Sequence, residues 1–354
     1  MSLTPISAEQ ALLRLDEFDT LIDARSEDEF AEDHLPGALN WPTLNNAERI
    51  LIGTTYKQVN AFEAKKRGAA LAARNIANHI ERELLDKVKD WKPLTYCWRG
   101  GKRSGSLSLV LDQIGFKVSI IEGGYKAFRA ALVQDTLKRV HGLQFRVVCG
   151  TTGSGKTRLL QALNQVGAQV LDLEALASHR SSVLGAIPGQ NQPSQKRFDT
   201  LVWDRLRNFD PKHPVYVESE SKKVGNVAVP LSLIEAMRES PCLNLSLPQA
   251  ERVALLLEDY AFFTQDQDLF CHKLDALTQA RGGEVVQRWK DCVRSNQIDV
   301  VVRELLSLHY DPVYLQSMQR NFSQFAKAHQ LIATDRSPQA MLSLALEMVQ
   351  AASD

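Results

Sequence analysis

The sequence predicts an α/β protein of two domains, each built on a parallel sheet. Short apolar runs typical of buried strands alternate with longer stretches of helical apolar spacing, which is the pattern of strands joined by crossover helices. This alternation starts again near residue 143 after a helical stretch. The 354 residues, 44% of them hydrophobic and 24% charged, are enough to bury a core in each of two domains.

The first half contains three apolar runs that we interpret as buried strands: TLIDAR at 20–25, LTYCW at 94–98 and VSIIEG at 118–123. Between the first two runs, residues 60–88 combine helical apolar spacing with strong helix formers. We place the domain boundary near residues 136–142, which gives domains 1–137 and 138–354.

The second half contains five further runs that predict strands: LQFRVVCG at 143–150, AQVLDL at 168–173, PVYVES at 214–219, PCLNLSL at 241–247 and HQLIATD at 329–335. A long helical region at about 248–327 lies before the last of them, and a terminal helix follows it. We therefore expect a parallel sheet covered on both faces, with a helical insertion before its last strand.

The composition narrows the class of protein. Lys plus Arg equals Asp plus Glu at 42 each, which argues against nucleic-acid binding through overall charge. The five cysteines form no Cys-x-x-Cys pair, so neither a zinc site nor a disulfide framework is expected. No apolar run approaches the roughly 18 residues that span a bilayer, and MSLTPISAEQ lacks the pattern of a signal peptide. We expect a cytoplasmic protein without membrane contact.

The segment GTTGSGKT fits the phosphate-binding pattern G-x-x-x-x-G-K-[ST] and lies between a predicted strand and a predicted helix. Its backbone N–H groups and the helix N-terminus suit a phosphate, the lysine adds a point charge, and the last threonine can ligate Mg²⁺. The motif predicts a bound di- or triphosphate and leaves hydrolysis open. The candidate diphosphate-binding residues are Gly150, Thr151, Thr152, Gly153, Ser154, Gly155, Lys156 and Thr157.

Acidic side chains at two predicted strand ends are candidates for organising Mg²⁺ or its waters near this loop. Asp172 and Glu174 follow one strand, and Glu218 and Glu220 follow another. Strand-end acids beside a phosphate-binding loop often organise Mg²⁺ or its waters. The alternative is that they are only hydrophilic strand ends, and no metal site is certain from the sequence.

The segment CWRGGKRS at 97–104 contains a thiol amid three cations, which suits either a nucleophile or a buried structural cysteine in a basic loop. Its surroundings resemble a rhodanese-type domain. LIDARSEDEFAEDHLPGALNWP at 21–42 is similar to the opening strand and turn of that family, and VSIIEGGYKAF to its last strand and Gly-Gly turn. The resemblance implies that Cys97 is the catalytic nucleophile. It also implies an oxyanion loop formed by Trp98, Arg99, Gly100, Gly101, Lys102, Arg103 and Ser104.

The spacing from Cys97 to Arg103 is C-x5-R, one residue longer than in common sulfur-transferring rhodaneses. A longer loop suits a larger group, and the same spacing resembles phosphatases that use a cysteine nucleophile. Tyr96 stands where many of those phosphatases have a histidine, and the loop has no obvious acid to protonate a leaving group. A phosphatase remains an alternative at this point.

The order of the two motifs in one chain resembles the tRNA 2-selenouridine synthase family over essentially the whole length. The resemblance includes residues 172–199 and VESESKKVG at 217–225. It implies that selenium from selenophosphate replaces sulfur in wobble 2-thiouridine of tRNA, through an S-geranylated intermediate made from geranyl diphosphate. It also implies a Cys–Se intermediate at Cys97 and a diphosphate role for the P-loop. No tightly bound cofactor is expected, and Mg²⁺ is a candidate ligand.

Contacts with the tRNA anticodon loop are assigned to seven basic residues: Lys65, Lys66, Arg67, His179, Arg180, Lys222 and Lys223. The alternative for each of them is a solvated helix face or loop. Two further readings of the whole chain stay open. One is a rhodanese-type sulfurtransferase or cysteine phosphatase fused to an NTP-dependent kinase-like domain, and the other is a pair of degenerate binding modules without activity.

Overall fold

A computed structural model describes residues 3–180, 185, 187 and 189–351, and the chain forms two compact units. The first unit contains Met1–Lys138 and Pro193–Asp204, and the second contains Arg139–Gln192 and Arg205–Asp354. Residues 181–184, 186 and 188 of the family-like segment 172–199 lie outside the described residues. The predicted division at residue 137 differs from these units in one respect, because the segment 193–204 belongs with the first unit.

The first unit contains a five-stranded parallel sheet of order β1-β5-β4-β2-β3. Its strands are β1 Thr4–Ile6, β2 Thr20–Asp23, β3 Leu39–Asn40, β4 Pro93–Tyr96 and β5 Ser119–Ile121. Its helices are α1 Ala8–Leu13, α2 Glu27–Glu32, α3 Asn46–Gln58, α4 Ala61–Glu83, α5 Lys102–Ile114 and α6 Gly124–Gly142, the last of which continues into the second unit. The central strand β4 is buried throughout, and residue 97, which follows its carboxyl end, is buried as well.

The second unit contains another five-stranded parallel sheet, of order β12-β11-β6-β8-β7, and a separate two-stranded antiparallel sheet, β9 with β10. Its strands are β6 Phe145–Cys149, β7 Gln169–Leu171, β8 Val215–Glu218, β9 Lys223–Val224, β10 Val227–Ala228, β11 Cys242–Ser246 and β12 His329–Ile332. The α/β class predicted from the sequence is confirmed, and every strand predicted there is present.

The helices of the second half belong to the second unit, except α9, most of which belongs to the first. They are α7 Lys156–Gln165, α8 Leu173–Ala177, α9 Gln195–Arg207, α10 Leu231–Glu239, α11 Gln249–Asp259, α12 Ala261–Gln265, α13 Gln267–Leu274, α14 Thr278–Arg281, α15 Gly283–Arg294, α16 Ile298–Leu305, α17 Asp311–Asn321 and α18 Pro338–Ala351. A π-helical turn, Leu306–Tyr310, joins α16 to α17. Helices α11 to α17 lie between β11 and β12 and include a core of their own around Trp289 and Phe270, as expected of a helical insertion.

The segment 193–204 packs into the core of the first unit through α9. Trp203 is fully buried in the same apolar cluster as Phe128, and the two rings meet edge to face at 5.9 Å. The indole Nε1 of Trp203 donates a hydrogen bond of 2.8 Å to Asp135. A buried indole with its N–H satisfied contributes large apolar area to a core, so this segment is a structural part of the first unit.

None of the helices in the described part of the chain combines the length and the apolar character needed to cross a bilayer.

Candidate active site

Cys97 lies directly after β4 and is 3% exposed. The loop that follows it turns into α5, for which Gly101 is the N-cap residue. Two donors point at the sulfur: the Gly101 backbone N–H lies 3.2 Å from Sγ, and the Ser104 hydroxyl lies 3.1 Å from it. These donors and the N-terminal end of a 13-residue helix stabilise negative charge on Sγ. The site therefore suits a thiolate.

The Gly123–Gly124 turn holds the backbone of this loop from the other side. Immediately after it, the Tyr125 N–H donates a 2.8 Å hydrogen bond to the carbonyl of Cys97. Gly124 has φ +58°, and a Cβ built on it would lie 2.2 Å from the Cys97 carbonyl oxygen and 2.4 Å from the Gly100 nitrogen. No side chain fits in that space, so only glycine allows the two backbones to approach this closely.

The three cations of the loop have different environments. Arg103 forms a two-point ion pair with Glu29 of α2, at 2.5 and 3.2 Å. Burial by itself would raise the pKa of Glu29, but the Arg103 contact and the Ser26 hydrogen bonds lower it overall. Arg99 and Lys102 are exposed, and within the described part of the chain neither has a side-chain hydrogen bond or ion pair. An open depression of about 400 Å³ is lined by Cys97, Trp98, Arg99, Gly101, Lys102 and Arg103.

A buried carboxylate, Asp33, supports this loop through Tyr125. Asp33 is fully buried and accepts hydrogen bonds from the Tyr125 hydroxyl at 2.7 Å and the Thr200 hydroxyl at 2.9 Å. Burial raises the pKa of Asp33, and the two hydrogen bonds and the nearby Arg129 and Arg197 oppose that effect. The ring of Tyr125 stacks on Trp98 at 5.5 Å, so Asp33 connects the segment 193–204 to the lining of the depression.

A second buried group, Arg25, also contacts the Tyr125 ring. Its guanidinium pairs with Asp23 at 2.6 Å, donates to the Asp33 carbonyl at 2.6 Å and lies 4.0 Å from the centroid of the Tyr125 ring. Sequence reasoning noted Asp23 and Arg25 only as family positions and missed the roles of Asp33, Tyr125 and Thr200. No local pattern marks these three residues, because their contacts span up to 167 positions of the sequence.

The P-loop, residues 150–157, joins β6 to α7 as predicted. Its three glycines all have positive φ, of +152°, +75° and +92°. Lys156 Nζ donates a 2.7 Å hydrogen bond to the Gly150 carbonyl, and the Gly150 N–H donates a 2.7 Å bond to the hydroxyl oxygen of Tyr314. Tyr314, on α17, also shares a 3.0 Å hydrogen bond with Ser219, and burial raises its pKa.

A second residue of the helical insertion, Arg252 of α11, is bonded to the same loop. Its guanidinium donates two hydrogen bonds to the Thr152 carbonyl, at 3.0 and 2.7 Å, and forms an ion pair with Asp311 at 2.6 Å. The insertion therefore contacts the P-loop at both Gly150 and Thr152. Neither Tyr314 nor Arg252 carries a signal in the sequence that connects it with the motif.

The four predicted acids come together at the ends of β7 and β8. Glu218 is 2% exposed and accepts a 2.9 Å hydrogen bond from the Glu174 N–H through Oε1, while its Oε2 has no partner among the described residues. Burial raises the pKa of Glu218 far above its usual range, and the charges of Asp172, Glu220 and Glu174 add to this. Thr157 of the P-loop contacts Glu174 at 3.4 Å, so the acids adjoin the phosphate-binding loop.

These oxygens fit the ligand preference of Mg²⁺, which usually takes one or two carboxylates together with substrate phosphates. Within the described part of the chain, no group of three or more His, Cys, Asp or Glu side chains is arranged to hold a metal ion. Thr157 and Glu174 could therefore hold Mg²⁺ only together with a bound phosphate.

An apolar cavity of about 50 Å³ adjoins the P-loop at Thr152. Its other lining residues are aromatic or aliphatic and come from the helical insertion: Leu256, Tyr260, Phe263, Phe270, Val302, Leu305, Leu306 and Tyr310. Leu306 and Tyr310 are the first and last residues of the π-helical turn, a feature frequent at functional sites. The cavity places an apolar compartment directly beside a phosphate-binding loop.

The seven candidate tRNA contacts are divided between the two units. Lys65, Lys66 and Arg67 are exposed on α4 of the first unit, and Lys222 and Lys223 are exposed beside β9 of the second. His179 and Arg180 are partly buried, and Arg180 is bonded to the Asp259 carbonyl and lies 4.7 Å from the Tyr260 ring centroid. Arg180 is thus engaged within its own unit.

Comparisons with known proteins agree with this architecture. The family model for the rhodanese-like domain matches residues 7–131, and that for the tRNA 2-selenouridine synthase AAA domain matches residues 143–281. A tRNA 2-selenouridine synthase of Nitrosomonas europaea is 32% identical over 345 residues, covering 85% of this chain and 89% of that protein. The protein of the same name from Aeromonas salmonicida is 31% identical over 347 residues, covering 90% and 92%.

Replacing Gly124 by alanine should disturb the cysteine loop. The left-handed φ costs a non-glycine residue about 1–2 kcal/mol, and overpacking against the Cys97 carbonyl adds about 1–3 kcal/mol. We expect Gly124→Ala to lower the free energy of unfolding in urea and to change the rate of Cys97 alkylation, followed by mass spectrometry. Gly37→Ala is the matched control, because Gly37 has φ +73° and a Cβ added there would have no atom within 4 Å. Equal effects of the two variants would contradict the close fit at Gly124.

The raised pKa of Glu218 predicts a pH-dependent stability. A carboxyl group with a higher pKa in the folded state costs stability as the pH rises from its ordinary pKa of about 4.3 towards the folded value, by about 1.4 kcal/mol per unit. In urea unfolding with EDTA, Glu218→Gln should therefore gain stability over the parent protein between pH 4 and 7. Glu81→Gln, at an exposed position, controls for the loss of one negative charge. A constant difference between E218Q and the parent across this range would refute the prediction.

Proposed function

The chain belongs to the tRNA 2-selenouridine synthase family, and we propose that it replaces the sulfur of wobble 2-thiouridine in tRNA by selenium from selenophosphate. The proposed route passes through an S-geranylated base made from geranyl diphosphate. It makes the protein a transferase that acts in the cytoplasm on the anticodon loop. The observation that carries the proposal is the presence, in one chain, of a cysteine loop with two donors facing Sγ and of a P-loop, within the two domains that the family models match.

The Cys97 loop is assigned to selenophosphate. Its depression is open to solvent, and two exposed cations, Arg99 and Lys102, line it beside the sulfur. A small, highly charged anion is attracted by such cations, and the Gly101 N–H and the Ser104 hydroxyl keep the thiolate in position for attack. Arg103 remains paired with Glu29, and this ion pair joins the loop to α2.

Cys97 can attack selenophosphate at either of two atoms, selenium or phosphorus. Attack of Cys97 at selenium forms a Cys–Se bond, and the electron pair of the broken Se–P bond leaves with phosphorus as phosphite. The bound selenium then attacks C2 of the base, and the geranyl thiolate leaves. Two molecules of a small thiol reduce the S–Se bond, which frees Cys97 and the selenated base and leaves the thiol as its disulfide. Attack at phosphorus instead forms an S–P bond and releases selenide, which attacks C2, while water hydrolyses the phosphocysteine to phosphate. The first is our working route, and the phosphorus product distinguishes the two.

The P-loop is assigned to the diphosphate of geranyl diphosphate. In the transfer, the sulfur of 2-thiouridine attacks C1 of the geranyl group, the C–S bond forms, and pyrophosphate leaves with the electrons of the C–O bond. Lys156 and the backbone N–H groups of residues 150–157 can stabilise that departing charge. The cavity beside Thr152 is apolar, but at about 50 Å³ it has room for only a few carbon atoms, so it would have to widen to accept a geranyl chain. Thr157 and Glu174 would hold Mg²⁺, which would neutralise charge on the diphosphate.

The alternative, a cysteine phosphatase or sulfurtransferase fused to a kinase-like domain, has less support from the geometry. The arginine of a C-x5-R phosphatase loop must be available to a phosphate, whereas Arg103 is bound at two points by Glu29. Tyr96, at the position of the phosphatase histidine, is fully buried, and its hydroxyl oxygen accepts the Leu35 N–H at 3.2 Å. That alternative predicts turnover of a phosphomonoester or thiosulfate with ATP and without tRNA.

Replacing Cys97 by alanine should abolish selenation while geranylation and tRNA binding persist, because only the selenium site loses its nucleophile. The measurement is mass analysis of nucleosides from 2-thiouridine tRNA incubated with enzyme, omitting selenophosphate or geranyl diphosphate in turn. Cys292→Ala, at a partly exposed thiol, is the matched control. Full selenation by C97A would remove the proposed nucleophile, and ³¹P NMR of the parent reaction separates phosphite from phosphate.

Replacing Lys156 by alanine should slow geranyl transfer by about a hundredfold or more, the usual effect of losing one donor to developing negative charge. Selenation of a pre-geranylated tRNA should continue, since the Cys97 loop is unchanged. Lys212→Ala, at an exposed lysine of the same unit, is the control. Unaffected geranyl transfer in K156A, or products that form only with ATP, would show that the P-loop serves another ligand.

A further inference from the structure

The end of the helical hairpin formed by α3 and α4 exposes apolar side chains. We call residues 56–67 the hairpin tip. Tyr56, Val59 and Phe62 are 59%, 66% and 67% exposed, and Lys66 Nζ lies 5.1 Å from the centroid of the Phe62 ring. Single exposed apolar residues are ordinary, but several within one short stretch commonly mark an interaction surface.

The base of the same hairpin is firmly attached to the first unit. At the start of α3, the Asn46 N–H donates to Glu27 at 2.8 Å, and from α4 the Asn75 amide donates to Glu48 and to the Thr43 carbonyl at 2.6 and 3.2 Å. His79 stacks on Trp41 at 5.7 Å. The tip, by contrast, contributes one buried residue, Ala64. The exposed tip is therefore the far end of a hairpin whose base is fixed to the first unit.

The base of this hairpin adjoins the Cys97 loop. Arg49, in the first turn of α3, lies 3.8 Å from Glu29, and Glu29 is the partner of Arg103. Helix α3 has 13 residues, so at 1.5 Å per residue its far end, at the tip, lies about 20 Å along the helix axis from its base. That span is comparable with the width of an RNA helix, so one RNA arm can reach both places.

The charge of the tip suits a polyanion. Residues 56–67 include four cations, Lys57, Lys65, Lys66 and Arg67, against one acid, Glu63, although the chain as a whole has 42 of each sign. Exposed aromatic rings among lysines are the usual surface for RNA, in which bases stack on the rings and the cations contact phosphates. A purely apolar protein partner would leave this excess of positive charge unmatched.

We propose that the hairpin tip binds the anticodon arm of the tRNA while the target base is at the Cys97 loop. Tyr56 and Phe62 stack on unpaired or terminal bases, and Lys65 and Lys66 contact the backbone. The inference rests on the proposed function, which supplies the RNA substrate, and it adds an RNA-binding surface beyond the catalytic loop.

The test is the affinity of the full-length protein for a fluorescent anticodon stem–loop that contains 2-thiouridine. Tyr56→Ala with Phe62→Ala should weaken binding at least tenfold, as expected for the loss of base stacking. Lys65→Gln with Lys66→Gln should reduce the slope of log affinity against log salt by about one per lysine. In turnover, the aromatic double variant should raise KM for tRNA and leave kcat nearly unchanged.

The matched control is Leu85→Ala with Val88→Ala, two residues 81% and 72% exposed just beyond the opposite end of α4. Consumption of selenophosphate by Cys97 without RNA should be the same in all variants. Unchanged stem–loop affinity in Y56A/F62A would overturn the inference. So would conversion of a dimer to a monomer with RNA binding intact, which would identify the tip as a contact between copies. If C97A retained selenation, the proposed function would fail, while the RNA-binding result would stand by itself.

Discussion

The buried carboxylate of Asp33 is the constraint on which the first unit depends. An ionised carboxyl group removed from water costs several kcal/mol unless hydrogen bonds and charges compensate. The compensation comes from Tyr125, Thr200, Arg129 and Arg197, which belong to two distant parts of the sequence. Both hydrogen bonds reach Oδ2 of Asp33, and its Oδ1 has no hydrogen-bond partner among the described residues. Because the Tyr125 N–H also bonds the carbonyl of Cys97, one of the residues that bind Asp33 also fixes the cysteine loop.

In the second unit, donors of the P-loop are already bound by other groups of the protein. Lys156 and the Gly150 N–H already have protein partners, the Gly150 carbonyl and the Tyr314 hydroxyl. A phosphate that takes both donors exchanges existing hydrogen bonds for new ones, so its net gain is smaller than the count of its contacts suggests. The residues that receive or lose these bonds lie on α17 and in the loop itself. Occupation of the loop is thus linked to the helical insertion.

Local patterns were enough to predict much of this structure. All eight apolar runs interpreted as strands are strands, and the two motifs lie at strand ends as expected. The edge strands β1 and β3, of three and two residues, are too short to give a periodic signal. The attachment of residues 193–204 to the first unit was not predicted, since α9 has an ordinary amphipathic sequence. Its partners Asp33 and Asp135 are 167 and 68 positions away from Thr200 and Trp203.

The position of Trp203 also affects the order of folding during synthesis. The core of the first unit needs a tryptophan that is made 65 residues after Lys138. At about 5–20 residues per second, the ribosome reaches it several seconds after the rest of that core. During this interval the groove for α9 is open and the P-loop strand β6 has already emerged. The first unit can therefore be completed only after part of the second has been made, and a chaperone would meet it unfinished.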